Sequence, residues 1–394
     1  MTKRRDKGTG TYIQRGRNSW LLKIDAGKDP KTGKRRTLYK TVKGTKSHAV
    51  NSLTQWASEI RQPDYIEPSK ATLKEYLEEK WLPFRKDGAK AVTPKTYERY
   101  NGICQHINRY LGNVKLSNLR SEDIDQYLKD CLTSGGAKST PLASQTVKHH
   151  YRVLFSALKQ AVRWNRIPRN PMENVDPPVV KKKKVIPLEP SDVSKLIAGI
   201  KGTEFELPAA LALATGMRLG EVLGLHWTEV DLEKREIKVI QTIEQTKEGI
   251  RLKEPKSNAG YRRIKLPKVT VNALRGFKTK QMRDRLKFRM AWDPKGPVFS
   301  NPAGELTIPR NFTNAFSRTA TKAGLKGVHF HLLRHTHASQ LIKDGVNIKT
   351  VSSRLGHSSI VVTLDVYSHL MAEMDNAAAD AIDAVYGGIL GTPS

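Results

Sequence analysis

The spacing of hydrophobic residues changes along the chain, and each change predicts a different kind of element. Between residues 10 and 43, apolar and polar residues alternate, and Trp20, Leu22 and Ile24 fall on one side at period two. The following segment, KSHAVNSLTQWASEIR at residues 46–61, has helical spacing instead. Residues 1–66 are therefore predicted to form a small three-stranded sheet plus one helix.

A block of helical spacing runs from about residue 72 to residue 170. Thr93 before Pro94 and Ser121 before two acidic residues are predicted N-caps. Pro177 and Pro178 cannot continue a helix, and four consecutive lysines follow at 181–184. We interpret residues 176–186 as an extended basic linker, and a solvated surface run is the alternative.

The pattern becomes mixed from residue 187 onward. SDVSKLIAGI is predicted to be a helix capped by Ser191, and further helices are predicted over residues 270–288, 309–324, 331–343 and 348–355. REIKVIQTI alternates as a strand, and GIRLKEPKSNAGYRRIKLP is typical of two strands joined by a loop. The whole chain is predicted to be a multidomain α+β protein whose third domain is mainly helical, with a small antiparallel sheet.

Charge narrows the choice of partner. The 394 residues include 69 Lys+Arg and 38 Asp+Glu, a net charge of +31, and residues 1–66 alone carry 16 basic against 5 acidic residues. An excess of this size indicates a polyanion, with nucleic acid first. The alternatives are a ribosome-associated protein, a peripheral membrane protein and, for the N-terminal segment, a disordered basic tail.

The chain carries no signal for membrane insertion or secretion. It lacks the run of roughly 20 apolar residues that a membrane span needs, and its basic N-terminus has no apolar segment behind it. Cys104 and Cys131 form neither a disulfide framework nor a recognised metal-binding spacing. These features favour the cytoplasm.

The stretch HFHLLRHTHASQLI at 329–342 crowds four histidines around one arginine. His331, Arg334 and His335 share one helical face, so a metal site, a phosphate site and ordinary histidines are all compatible with the spacing. The segment lacks the zincin glutamate and a cysteine ligand set, and Arg334 would repel a dication. Phosphate is favoured, because arginine matches its oxygens and histidine exchanges protons near neutral pH.

Other candidate residues have ordinary interpretations when each is taken alone. Arg218 and Glu221 lie three apart at a helix start and could simply form an ion pair. Gly356 is placed to cap a helix, and His357 follows it. Tyr367, ten residues after His357, could be a half-buried aromatic.

Together these segments carry a specific resemblance. ATGMRLGEVLGL, PKSNAGYRRIKLP, HLLRHTHAS, LGHSS and TLDVYSH occur in this order, and the chain resembles a tyrosine recombinase of the phage-integrase family. The resemblance implies an arm-type DNA-binding domain at 1–66, a helical core-binding domain at 70–175, the basic linker at 176–186 and a catalytic domain at 187–394. The last helix, around residues 371–390, either packs on its own domain or docks on a neighbouring protomer.

The resemblance also implies a role for each matching residue. Arg218 and Arg334 would hold the non-bridging oxygens of the scissile phosphate, and His357 would hydrogen-bond it. Tyr367 would be the nucleophile. His331 would assist its proton transfer. The remaining candidates are given by the same motifs: Lys256, preferred over Lys253, as general acid for the 5′-oxygen, Glu221 as the residue that orients Arg218, and His335 as a residue that helps to seat the helix.

General chemistry is consistent with these roles. Two arginines and two histidines offset charge that builds on a phosphodiester during attack. A phenol has an ordinary pKa near 10, and nearby cations are expected to lower it. A tyrosyl ester conserves the bond energy of the phosphodiester, so the resemblance implies that no metal, ATP or other cofactor is required.

The resulting hypothesis is a site-specific integrase that acts through a 3′-phosphotyrosyl intermediate. The resemblance implies a homotetramer on double-stranded DNA at core and arm-type attachment sites, with an excisionase and a host DNA-bending protein as possible partners. The alternatives are a catalytically inactive DNA-binding regulator on the same scaffold and a type IB topoisomerase. Intact catalytic positions count against the regulator, and the basic N-terminal segment counts against the topoisomerase.

Overall fold

The computed structural model describes residues 10–28, 33–61, 69–181, 185–255, 257–287, 293–301 and 303–390. Within the last helix, side chains at 369–378, 381 and 387–390 lie outside this description. The chain forms two compact units, Met1–Lys181 and Lys182–Ser394. The division falls within the predicted linker at 176–186, and the further separation of 1–66 from 70–175 stays a prediction.

The first unit begins with an antiparallel sheet packed on a helix. Trp20, Leu22 and Ile24 point to the core side, as period two predicted, and Trp20 Nε1 donates a hydrogen bond to the Gly44 carbonyl over 3.0 Å. The strand order is β1-β2-β3, so the predicted three-stranded sheet plus helix is confirmed. The elements are β1 (Thr11–Gly16), β2 (Ser19–Lys28), β3 (Arg35–Lys43) and α1 (Lys46–Ile60).

The rest of the first unit is helical. A capping box between Thr72 and Glu75 starts the block, and Trp81 and Tyr76 are among its largest buried side chains. Thr93 is an N-cap as predicted, whereas the helix predicted to begin after Ser121 includes it and is capped one residue earlier, at Arg120. The helices are α2 (Leu73–Tyr76), continued by a π-turn (Leu77–Trp81), α3 (Leu82–Asp87), α4 (Pro94–Leu111), α5 (Ser121–Ser134) and α6 (Ser144–Arg163).

The second unit is mainly helical. Its core is lined by aromatic rings in edge-to-face contact, including Phe312, Phe316 and Phe330. The helices are α7 (Pro190–Ile200), α8 (Glu206–Thr215), α9 (Leu219–Leu223), α10 (Lys268–Lys287), α11 (Pro309–Lys322), α12 (Phe330–Lys343), α13 (Ile348–Leu355) and α14 (Ile360–Leu390). The helices predicted at 270–288, 309–324, 331–343 and 348–355 are confirmed within two residues at each end.

Antiparallel strands of this unit form two small sheets in the described residues, where one was predicted. The first has the order β4-β5-β8, and the second pairs β6 with β7. The two predicted strands of the GIRLKEPKSNAGYRRIKLP segment, β7 and β8, exist but belong to different sheets. The strands are β4 (Val230–Asp231), β5 (Glu236–Val239), β6 (Thr242–Thr246), β7 (Gly249–Lys253) and β8 (Arg262–Lys265).

Helix α7 begins at Pro190 with Glu189 as its N-cap, so the predicted cap at Ser191 is wrong by two residues. Proline is favoured in the first turn because its missing N–H has no intrahelical partner there. Across the described part of the chain, every helix is too short or too polar to cross a bilayer.

Candidate active site

A left-handed glycine starts the site. Helix α8 ends at Thr215, and Gly216 follows with φ of +69°. A Cβ at this glycine would lie 2.6 Å from the His337 ring and 2.7 Å from Leu355, so the turn needs glycine for both its backbone angle and its space. The turn places Arg218 at the N-cap of α9, where its charge acts on His331, Arg334 and His357, and these four residues define the cleft of the candidate site.

Glu221 is a buried carboxylate that holds two arginines. It accepts from the Arg218 backbone N–H and guanidinium, each over 2.9 Å, and from Arg262 over 2.8 and 3.2 Å. Burial alone would raise the pKa of Glu221, but the hydrogen bond and charge of Arg262, followed by Arg218, bring it below its ordinary value. The contact with Arg218 that the motif predicts is therefore present.

Arg262 is a site residue that the sequence did not reveal. It lies in β8, and its Nε donates to the Arg354 carbonyl over 2.7 Å, which ties β8 to the end of α13. Its side chain is 5% exposed, as is that of Glu221. In sequence it is one basic residue in an alternating strand, 41 positions from its partner, so spacing could not identify the pair.

Arg334 is the most deeply buried cation of the cleft. It lies on α12, is 3% exposed, and donates from Nη1 to the Gly216 carbonyl over 2.7 Å. Its Nη2 is buried and has no hydrogen-bond partner among the described residues. Burial, with the charges of Arg218 and Arg262, lowers the pKa of Arg334 to about 9. A buried donor of this kind costs free energy until a partner arrives.

His357 enters the cleft from a second left-handed glycine. Gly356 ends α13 with φ of +68°, confirming the predicted cap, and its carbonyl accepts from Arg218 Nη2 over 3.4 Å. The Nδ1 of His357 lies 2.8 Å from the Thr363 hydroxyl. Burial first, then Arg334 and Arg218, lowers the pKa of His357 to about 4, so the ring is neutral at pH 7.

Tyr367 lies on α14 and is 2% exposed. Its ring packs in a small cluster with Ala338, Val351 and Leu355. Burial raises the pKa of Tyr367 to about 12, and the nearby Arg334 offsets only part of that rise. The expectation that cations lower this pKa overall is therefore wrong for the chain without DNA, because desolvation of the phenolate outweighs them.

The histidines of α12 divide into three positions. The Nδ1 of His335 lies 2.7 Å from the Tyr367 hydroxyl, although the sequence indicated only a helix-seating role for it. His331 is solvent-exposed, and its ring lies 4.9 Å from that of His335. Although its surface is accessible to solvent, protein groups crowd around its ring, and this desolvation, followed by the charges of His335 and Arg334, lowers the pKa of His331 to about 4. His337, left unassigned by the sequence, is structural: it donates to the Leu213 carbonyl over 2.7 Å.

Of the two candidate lysines, Lys253 is the one that the structure describes. Lys256 lies outside the described residues. Its alternative, Lys253, forms an ion pair with Glu244, a carboxylate that Arg251 also contacts over 2.6 Å. Lys253 is therefore held by a carboxylate that it shares with Arg251.

One further group of possible metal ligands occurs among the described residues, in the first unit. His106, Cys131 and His150 come from three helices, with ligand atoms within 4.8 Å of one another. The Tyr127 hydroxyl lies 3.1 Å from Nδ1 of His106 and 2.8 Å from Nδ1 of His150, while His106 Nε2 donates to the Gly135 carbonyl over 2.7 Å. These hydrogen bonds form one continuous chain that satisfies the buried polar atoms it joins.

Comparisons with known proteins show which family the chain is similar to. The Phage integrase family matches residues 188–374, and the N-terminal SAM-like domain of phage integrases matches residues 72–132. A XerC-like tyrosine recombinase of Caldanaerobacter subterraneus is 26% identical, over 95% of this chain and 98% of its own length. An integrase of Streptomyces ambofaciens is 27% identical, over 98% of both chains.

Solved structures share the fold. The Tn1549 transposon integrase in complex with a circular intermediate DNA superposes with a TM-score of 0.63 at 21% identity, covering 78% of this chain and 99% of that one. A lambda integrase tetramer bound to a Holliday junction superposes with a TM-score of 0.55 at 19% identity, covering 91% of this chain and 94% of that one. Fold and sequence matches together define an enzyme of site-specific DNA recombination. The chain belongs to the phage-integrase family of tyrosine recombinases.

Proposed function

We propose that this chain is an integrase that cuts and rejoins DNA strands at attachment sites through a 3′-phosphotyrosyl intermediate. The Tyr367 oxygen attacks the scissile phosphorus, a bond forms between them, and the 5′-oxygen leaves. The observation that carries the proposal is the buried, unpartnered Nη2 of Arg334, in a cleft that also contains Arg218 and His357. A non-bridging phosphate oxygen would satisfy that donor.

The arginines act as fixed charges. Arg218 is held by Glu221, which is itself held by Arg262, and Arg334 is anchored on the Gly216 carbonyl. Because these donors are already in position, they do not need to reorganise when negative charge develops on the phosphate. His357, neutral at pH 7, donates a hydrogen bond to the same phosphate.

Proton transfers complete the reaction. The leaving 5′-oxygen needs a proton, and Lys256 is the proposed donor. His331 is exposed, and its proposed role is to assist proton transfer to or from the nucleophile. The tyrosyl ester keeps the bond energy of the phosphodiester, so attack by another 5′-hydroxyl rejoins the strands without nucleotide hydrolysis.

The net charge of +31 supports a large DNA footprint. In the proposal, residues 1–66 bind arm-type sites, 70–175 and 187–394 bind the core site, and 176–186 lie along phosphates. Four protomers exchange strands through a four-way junction, as the tetrameric lambda structure on a Holliday junction suggests. Ile382 and Val385 on α14 are 56% and 64% exposed, which supports docking of this helix on a neighbouring protomer.

An adduct assay tests the proposal. On a nicked suicide substrate, Tyr367→Phe is expected to bind duplex normally and form no covalent adduct. Arg334→Lys, which keeps the charge but loses the planar fork, is expected to slow adduct formation roughly 100-fold or more. Adducts that persist in Tyr367→Phe would contradict the proposal. Relaxation of a supercoiled plasmid that lacks attachment sites, at the rate seen with them, would favour a type IB topoisomerase instead.

A further inference from the structure

The described contacts of the Tyr367 hydroxyl single out one residue. Its oxygen lies 2.7 Å from Nδ1 of His335, within the normal range of a strong hydrogen bond. His331, to which the family motif assigns proton transfer, is instead exposed, and its ring lies 4.9 Å from that of His335. Of these two imidazoles, that of His335 is therefore the one in hydrogen-bond contact with the nucleophile.

We infer that His335 is a further catalytic residue: its Nδ1 takes the Tyr367 proton during strand cleavage and returns it during rejoining. The inference rests on the proposed function, in which Tyr367 is the nucleophile. It goes beyond that function by assigning the proton to one named atom. Burial supports it, since Tyr367 is 2% exposed and bulk water has little access to the hydroxyl.

The step balances. The electron pair of the Oη–H bond stays on oxygen and forms the Oη–P bond, and the proton moves to Nδ1 of His335. The P–O5′ bond breaks, and its electron pair leaves with the 5′-oxygen, which takes a proton from a separate acid. In rejoining, a 5′-hydroxyl attacks, the Oη–P bond breaks, and Nδ1 gives its proton back to the phenolate.

Titration of His335 is set by the groups around it. Burial lowers the pKa of His335 from its ordinary value of 6.5, and the charges of Arg334 and His329 lower it further. Positive or titratable groups face it from α12, from the turn after α13 and from α14: His329, His331, Arg334, His357 and Tyr367. The ring is therefore neutral at pH 7, and the tautomer protonated on Nε2 leaves Nδ1 free to accept a proton.

The hydrogen bond also explains how a phenol with a pKa of about 12 can act at neutral pH. The free phenolate is rare under those conditions, so attack must be concerted with removal of the proton. A neutral imidazole already in contact with the hydroxyl supplies that removal without a diffusive step.

Substitution by asparagine separates proton transfer from positioning. The Oδ1 of asparagine occupies nearly the place of Nδ1, so His335→Asn keeps a hydrogen-bond acceptor beside Tyr367 but cannot take the proton. The full-length variant is expected to form adducts roughly 100-fold more slowly at pH 7. In the wild type the rate falls as the pH drops below the lowered pKa of His335, and in the variant this fall disappears. His329→Asn removes an exposed neighbouring imidazole, and this control variant is expected to keep the fall in rate at low pH.

A more acidic nucleophile gives a second readout. Replacing Tyr367 with 3-fluorotyrosine lowers the phenol pKa and is expected to restore part of the His335→Asn rate. A purely structural role for His335 predicts no such rescue. A His335→Asn variant with the wild-type rate and pH profile would overturn the inference, and so would a slow variant that keeps the acid limb and gains nothing from fluorination.

The wild-type protein supplies a test that needs no folded variant. The midpoint of the acid limb in the adduct rate is expected to coincide with the NMR titration of the His335 ring in the DNA complex. A ring that titrates elsewhere would overturn the inference. If Tyr367→Phe still forms adducts, the proposed function itself fails, which is a distinct result.

Discussion

Neutralising Glu221 should destabilise the second unit far more than neutralising a buried carboxylate that pairs only with exposed cations. Glu221 and Arg262 are each 5% exposed, and the carboxylate also holds Arg218 through its backbone and side chain. In Glu221→Gln, one oxygen becomes an NH₂ group that points at donors, and Arg262 is left buried without a counter-charge. Breaking a buried pair in this way costs about 3–5 kcal/mol.

Hydrogen exchange measured by mass spectrometry on peptides around 206–225 reports this loss of stability for the second unit within the full chain. A loss of 3 kcal/mol accelerates exchange through opening roughly 150-fold. The matched control is Glu236→Gln, because Glu236 is also buried but pairs with exposed Arg263 and Lys265, so its effect should be much smaller. Equal acceleration in the two variants would refute the reasoning.

The same pair predicts a pH dependence. The folded-state pKa of Glu221 lies below its ordinary value of 4.5. The unfolded chain therefore binds this proton more readily, and the stabilisation is present above pH 4.5 and lost as the pH falls below it. The stability difference between wild type and Glu221→Gln should shrink in that range. A difference that stays constant as the pH falls would show that the carboxylate's charge is not the cause.

Three further outcomes are expected. Gly356→Ala should lower stability by at least about 1 kcal/mol in thermal unfolding, because φ is +68° and the new Cβ would lie 2.9 Å from the Ala259 carbonyl; an unchanged melting temperature would contradict this. The pKa of His357, which burial and the neighbouring arginines lower to about 4, should rise when core-site DNA binds, because a phosphate offsets those arginines. NMR titration of the ring measures this change, and no rise at saturation would place the phosphate elsewhere. Deleting residues 1–66 should spare core-site cleavage and impair integration at sites with arms, and loss of all DNA binding would refute the proposed domain division.

Local features of the fold were predictable from the sequence because they depend on short-range chemistry. The period-two pattern around Trp20 identified the N-terminal sheet, and the apolar spacing located α10 to α13 within two residues at each end. The cap at Gly356 follows from the conformational freedom of glycine. Where prediction was wrong by a residue or two, as at Ser121 and Ser191, neighbouring residues in the first turn were also compatible with helix initiation.

Long-range features were not predictable in this way. Arg262 meets Glu221 across 41 residues, and His335 meets Tyr367 across 32. Neither pair has a spacing that one element could impose, because each depends on how separate elements pack. Whether the pKa of Tyr367 rises or falls likewise depends on how deeply the side chain is buried. A sequence motif does not contain that information, so the effect of burial could not be compared with that of the nearby cations.

The attachment of DNA to Tyr367 can be measured directly by mapping the trapped adduct. No Lys or Arg follows Arg354, so trypsin leaves residues 355–394 as one peptide that contains both Tyr367 and Tyr386. Cleavage before aspartate then isolates residues 365–374, which contain Tyr367 as their single tyrosine. We expect a nucleotide attached through its 3′-phosphate to this ten-residue peptide. The nucleotide found on Tyr386 or any other residue would contradict it.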